Sequence, residues 1–222
     1  MSGATGVHTF ANGIRLPANR LLDLQVERYA SDVSGNLHEP AEEHWFNEIL
    51  QVSPEEGVFV DLGAALGYYT ALVLQSRPNW KVHAFEPNPQ MREGLREMLR
   101  LNELRDATVT IDPRAMSHLE GEQPFLIQHF GSCITARSRH ASGATILDVQ
   151  TLRLADFLEQ SSEPISLMKI DIQGGEADLL ESSTGALESG RIRYLIVLAL
   201  MVQRSMIAFA RRLNQRSRSN VT

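Results

Sequence analysis

Apolar and polar positions along this chain follow two rhythms, short runs of the strand type and longer stretches with a helical repeat. The switches between them fall at glycine and proline. Val58, Phe59 and Val60 form a short apolar run bounded upstream by Pro54 and Gly57, the pattern of a central parallel strand. Gly63 and Gly67 break that run, and residues 68–75 follow as helix-forming sequence with Tyr69, Leu72 and Val73 on one face. Lys81–Phe85 reads as a second strand, stopped by Pro87 and Pro89. Pro89–Leu101 then reads as a helix with proline at its start and Met91, Leu95, Met98 and Leu99 facing inward. Residues 108–111, Ile165–Ile170 and 193–200 supply a third, fourth and fifth strand, with short helices at 152–158 and 176–180. Strands alternating with helices predict an α/β fold, a mostly parallel sheet with helices on both faces.

The flanks are less regular. In residues 41–50 the spacing of Trp45, Phe46, Ile49 and Leu50 predicts an amphipathic helix with those four inward, and Glu42 and Glu43 in its first turn favour the helix dipole. Gly13, Pro17, Gly35 and Pro40 punctuate residues 1–40, where 20–29 reads as a short strand or helix; by position this segment is expected to lie over the crevice as a lid. Residues 125–129 and 145–149 look like strands flanking a polar stretch at 131–143, a hairpin on the substrate side. After Leu200 only 22 residues remain, with no alternating pattern, and a helix over 202–213 is the most they are expected to supply. Strand five would then be an apolar edge at 194–200, open to self-association, and the sheet would lack a C-terminal antiparallel pair. The expected division is a leading segment 1–40, a main domain 41–200 and a basic tail 201–222.

Composition narrows the class. A chain of 222 residues with 43% hydrophobic content suits one core. The opening Met-Ser-Gly-Ala-Thr-Gly has no basic region leading into an apolar one, so no leader is expected. The longest apolar run, nine residues at 194–202, is too short to span a bilayer. Cys133 is the only cysteine, which excludes an intramolecular disulfide and fits a reducing, cytoplasmic setting. The five arginines of residues 201–222 face no acid there, so the preceding residues carry all of the net charge of −6 and more; an acidic body argues against nucleic acid as a partner. No His/Cys/Asp cluster has metal-ligand spacing, and His44 reads as a surface histidine.

The candidate chemistry sits where strands end. A dinucleotide loop needs Gly-x-Gly-x-x-Gly, but counting from Gly63 the later positions are Ala65 and Tyr68, and Tyr68 would crowd a diphosphate. That disfavours a nicotinamide-dependent oxidoreductase. Asp61, at the end of the first strand, would repel phosphate and suit a ligand with an ammonium or sulfonium group. S-adenosylmethionine has both. Glu86 ends the second strand 25 residues later, where an acid can accept from both ribose hydroxyls, with Pro87 beside it. Asp112, Ala115 and Met116 form a candidate adenine pocket, Asp112 accepting from the exocyclic amine. Asp171 repeats the first design: strand, terminal acid, Gly174 and Gly175, then a helix. It is the best-placed general base for a hydroxyl nucleophile, with a role toward the donor's amino group left open, and His129 and His140 on the hairpin are its rivals.

Several of these segments together resemble the FkbM-type methyltransferases. They are Phe59-Val60-Asp61-Leu62-Gly63-Ala64 with Gly67-Tyr68-Tyr69-Thr70, then Phe85-Glu86-Pro87, and residues 152–158 leading to Lys169-Ile170-Asp171 with Gly174 and Glu176. Glu39-Pro40 with Glu42 and Glu43 is similar to the segment that precedes the family's first strand, so the likeness spans residues 36–200. The resemblance implies class I methyltransferase (Rossmann-like) architecture and methyl transfer from S-adenosylmethionine to a hydroxyl of a sugar or other natural product. It places Asp61, Gly63 and Gly67 along the methionine side of the cofactor, Glu86 on the ribose and Asp171 at the reaction edge. Gln173 stands where the family usually has Glu, and the chain looks C-terminally short against it, which also admits a catalytically silent relative acting through a partner.

Overall fold

The computed structural model describes residues 6–31, 35–104, 108–128, 132–134, 145–200 and 206–212. In chain order the elements are β1 (Val7–Thr9), β2 (Arg15–Pro17), a 3-10 turn (Ala18–Arg20), α1 (Asp23–Tyr29), α2 (Pro40–Gln51), β3 (Val58–Leu62), α3 (Tyr68–Ser76), β4 (Lys81–Phe85), α4 (Pro89–Leu101), β5 (Val109–Asp112), β6 (Ala115–Met116), β7 (Gly121–Ile127), β8 (Cys133–Ile134), β9 (Thr145–Leu152), α5 (Leu154–Gln160), β10 (Ile165–Ile170), α6 (Glu176–Ser182), α7 (Thr184–Glu188), β11 (Ile192–Leu200) and β12 (Met206–Arg212).

The central sheet has the order β12-β11-β10-β3-β4-β5, parallel throughout except for β12. From β3 the chain winds outward through β4 and β5, then returns to the other side of β3 as β10 and β11. The reversal opens a crevice at the carboxyl ends of β3 and β10. Because side chains alternate across a strand, each central strand feeds two cores. Phe59, Leu167 and Ile196 face one core, under Phe46 of α2, Tyr69 and Leu72 of α3, and Leu95 and Met98 of α4. Val60, Leu62, Met168 and Ile170 face the other, under Leu154, Phe157 and Leu158 of α5 and Leu179 of α6. Each such side chain, fully buried, stabilises the fold by about 1.5–3 kcal/mol. A smaller sheet, β6-β9-β7-β8, packs around Ala115, Phe125 and Val149 beside the crevice.

The C-terminal segment and α2 differ from expectation. The segment read as a helix over 202–213 contains β12, paired antiparallel with β11 from Tyr194↔Arg212 to Leu200↔Met206. Both edges of β11 are therefore hydrogen-bonded, and this strand is not an open face for self-association; the sheet also gains one of the antiparallel strands it was expected to lack. In α2, Trp45 is 44% exposed rather than core, while Glu42 and Glu43 are buried with Phe46, Ile49 and Leu50. Residues 20–29 resolve into the 3-10 turn and α1. Among the described residues no helix is long and apolar enough to cross a membrane.

Candidate functional site

Two backbone hinges bring the strand ends together. Gly63 and Ala64 both donate their N–H to the Phe85 carbonyl, at 3.0 and 3.1 Å, and Asp171 N donates to the Leu62 carbonyl at 3.0 Å. The loops after β3 and β10 therefore lie against each other. Gly63 has φ +76°, and a Cβ there would stand 1.8 Å from the Asp171 carbonyl oxygen, so only glycine permits the approach. Ala65 and Gln173 also adopt left-handed backbone, at φ 48° and 60°. Such conformations in non-glycine residues gather at functional sites, one in each loop here.

Over these loops lies a cavity of about 330 Å³, lined by Gly63, Ala65, Tyr68, Glu86, Pro87, Ala115 and Asp171 among the residues singled out from sequence. Met116, Ser117 and Phe125 close one side, and Leu16, Leu21, Arg28, His38 and Glu39 of the leading segment close another. Three other sequence candidates are placed differently. Asp61 is fully buried beneath the floor, where Oδ1 accepts from Lys169 at 3.2 Å and Oδ2 from Thr70 at 3.0 Å; its charge is spent on protein partners. Asp112 is held by Arg114, which donates to both carboxylate oxygens, so the wall beside it is built from Arg114, Ala115 and Met116 instead. Gly67 starts α3 at φ +83° and backs onto Leu95 and Met98. His129 and His140 lie outside the described residues.

Glu86 is 5% exposed. Its Oε2 accepts from Ala65 N and its Oε1 from Asn88 N, each at 2.8 Å, which fixes the carboxylate and leaves a free lone pair on each oxygen. Burial pushes its pKa up to about 7, against the pull of the two backbone N–H groups. Asp171 accepts from Gln173 Nε2 at 2.6 Å on Oδ1, and its Oδ2 lies 3.7 Å from Lys169 Nζ. Burial raises its pKa and Lys169 opposes the rise. Glu176 secures the second loop by accepting from Ile172 N and Gly174 N, both at 2.9 Å.

Sequence reasoning gave Lys169 and His38 no site role of their own and read Tyr69 as part of the apolar face of α3. Lys169 and Asp61 are register partners on neighbouring strands, 108 residues apart, a relation that no local spacing carries. Tyr69 donates its hydroxyl to Glu39 Oε2 at 2.6 Å and stacks on Phe46. His38 Nδ1 and the Tyr29 hydroxyl share a 2.6 Å hydrogen bond, and burial drives the imidazole's pKa down to about 3, so the ring is neutral. Asn12 ties the leading segment to α3 by donating to the Tyr68 hydroxyl at 2.6 Å and to Glu43 Oε2 at 3.0 Å. The sequence signals for this cluster were the Glu39-Pro40 segment and the Gly67-Tyr68-Tyr69-Thr70 run.

Fold and crevice define a class: a doubly wound α/β domain with a ligand cavity at its topological switch point. Residues 61–214 match the family model Methyltransferase FkbM domain, and the chain belongs to that family. It is 25% identical over 157 residues to Methyltransferase sdnD of Sordaria araneosa, covering 58% of this chain and 61% of that protein. It is 28% identical over 152 residues to the Hexuronic acid methyltransferase AglP of Haloferax volcanii, covering 67% of this chain and 58% of that protein. The chain thus spans about three fifths of the length of these curated relatives. Among solved structures, Methyltransferase FkbM from Methylobacillus flagellatus KT superposes with a TM-score of 0.45 at 16% identity, over 79% of this chain and 46% of that one.

Proposed function

We propose that the cavity binds S-adenosylmethionine and that the protein transfers its methyl group to a hydroxyl of a sugar or other natural-product acceptor. The observation that carries this reading is the convergence of Gly63, Ala65, Glu86 and Asp171, the ends of two glycine loops and one intervening strand, on a single cavity in a chain of the FkbM family. The residues fit such a donor. The free lone pairs on Glu86 suit two ribose hydroxyls, Ala115, Met116 and Phe125 offer an apolar wall for adenine, and Asp171 is a half-buried carboxylate lining the cavity for the cationic end. When bound, S-adenosylmethionine supplies a methyl carbon made electrophilic by its sulfonium.

The protein's own part is alignment, exclusion of water and proton handling. Asp171 either accepts the hydroxyl proton as the new C–O bond forms or holds the donor's ammonium group. His129, as its rival for the proton, stays a candidate from sequence alone. Asp61 acts on the site through Lys169 rather than by touching the ligand. The name of the Haloferax relative supports a sugar acceptor. A cytoplasmic location and a small-molecule or glycan partner rather than a nucleic acid accord with the lone cysteine and acidic body.

Calorimetric titration with S-adenosylhomocysteine tests the reading. The expected result is saturable binding that Glu86→Ala abolishes. Asp171→Asn separates the two roles of that acid: retained binding with lost turnover makes it the base, and lost binding places it on the donor. A folded sample with no binding overturns the proposal.

A further inference from the structure

Among the described residues Lys169 is the only buried lysine or arginine, and it sits in a strand face that is otherwise hydrocarbon: Leu167, two residues earlier, and Phe59 opposite it are both fully buried. A buried ion pair is weak evidence for a stabilising role, because an apolar pair of similar volume often serves stability as well or better. The partners of Lys169 point to a different purpose. Its ammonium carries three donors. One reaches Asp61 Oδ1 at 3.2 Å and another the carbonyl of Gly63 at 3.2 Å. Asp171 Oδ2 lies at 3.7 Å, in range for attraction but beyond a hydrogen bond. One cation therefore touches the backbone of the first loop and faces the carboxylate of the second, at the floor of the cavity.

We propose that Lys169 is a positioning residue that locks the Gly63 carbonyl and the Asp171 carboxylate into one arrangement for the cationic end of the donor, with Asp61 as its counter-charge. The inference rests on the donor-binding reading of the cavity. Asp61 binds Lys169 from below, so Asp171 keeps an oxygen for a ligand while Lys169 still favours its ionised form. The charged and titratable groups facing this pair are Asp61 on β3, Tyr69 on α3, Glu39 at the start of α2, Glu42 within α2, and the neutral His38. Of these Glu39 and Asp61 oppose ionisation of Asp171, which leaves Lys169 and the Gln173 hydrogen bond to favour it.

The test uses a double variant, because Lys169→Met alone strands Asp61 as a buried uncompensated charge. Asp61→Asn/Lys169→Met removes both charges and keeps an acceptor for Thr70. Wild type and the double variant are compared by thermal melting, by ¹³C NMR titration of the Asp171 carboxyl in ligand-free protein, and by S-adenosylhomocysteine titration from pH 5 to 9. The expected result is a double variant that melts near wild type, an Asp171 midpoint at least one pH unit higher, and affinity at pH 7 at least tenfold weaker. Loss of Asp61 shifts that midpoint the opposite way, but its influence is smaller than that of Lys169. Wild-type affinity together with an unmoved Asp171 midpoint in the folded double variant overturns the inference and leaves the donor reading intact. Failure of wild type itself to bind S-adenosylhomocysteine overturns both.

Discussion

Acidification from pH 7 to pH 5 sets two buried groups against each other. Glu86 has a pKa of about 7 in the fold against an ordinary 4.5, because burial penalises its carboxylate. Its penalty is absent below the unfolded value, where both states are protonated, and is fully present above the folded value. Between pH 7 and 5 the folded protein therefore takes up the proton first, and the fold gains about 2 kcal/mol. His38 runs the other way. Its folded pKa is about 3 against 6.5, so over the same interval the unfolded chain takes up the proton and the fold loses about 2 kcal/mol. Wild type should thus show a flat profile, tilted toward greater stability at pH 5 by Asp171 and Glu42, whose carboxyls burial also raises. Urea denaturation at the two pH values, on wild type, Glu86→Gln and His38→Gln, reads the terms separately. Glu86→Gln should become less stable at pH 5 than at pH 7, and His38→Gln more stable. Equal pH responses in all three proteins would refute the assignment of these groups as buried and opposed.

Three other perturbations have signs fixed by the structure. Gly63→Ala would place a methyl 1.8 Å from the Asp171 carbonyl oxygen in a left-handed backbone whose cost alone is about 1–2 kcal/mol; it should lower the melting temperature and abolish S-adenosylhomocysteine binding, and wild-type values for both would contradict the packing of the two loops. Gln173→Glu replaces a donor 2.6 Å from Asp171 with a second carboxylate, so the pair should share a proton and the Asp171 midpoint should rise by roughly two units, read by carboxyl NMR titration. Phe46→Ala empties a fully buried site stacked 4.5 Å from Tyr69, and denaturant unfolding should show a loss of about 3–5 kcal/mol.

The main strands and helices between Val58 and Leu200 were legible, though not the short β6, β8 and α7, because a strand's period and a glycine break are local properties, written in neighbouring residues. The same locality made Gly63, Glu86 and Asp171 visible as strand-end groups, and the chemistry of a β-strand terminus in an α/β sheet supplied their common crevice. Sequence could not show what lies beside what. Asp61 looked like a ligand group because it ends a strand, yet β10 inserts next to β3 and sets Lys169 opposite it, so its charge is met from within the sheet. Asp112 looked available until Arg114, two residues on, folded back onto it. The stretch after Leu200 has no strand alternation of its own; the unpaired edge of β11 decided its form by offering a row of backbone hydrogen bonds that a helix there would have left unmet. Local pattern determined the elements and the positions of the strand-end acids. Only the tertiary structure decided which acids face the cavity and which are neutralised beneath it, because burial and partner charge depend on strand order, and strand order is set by packing across the whole chain.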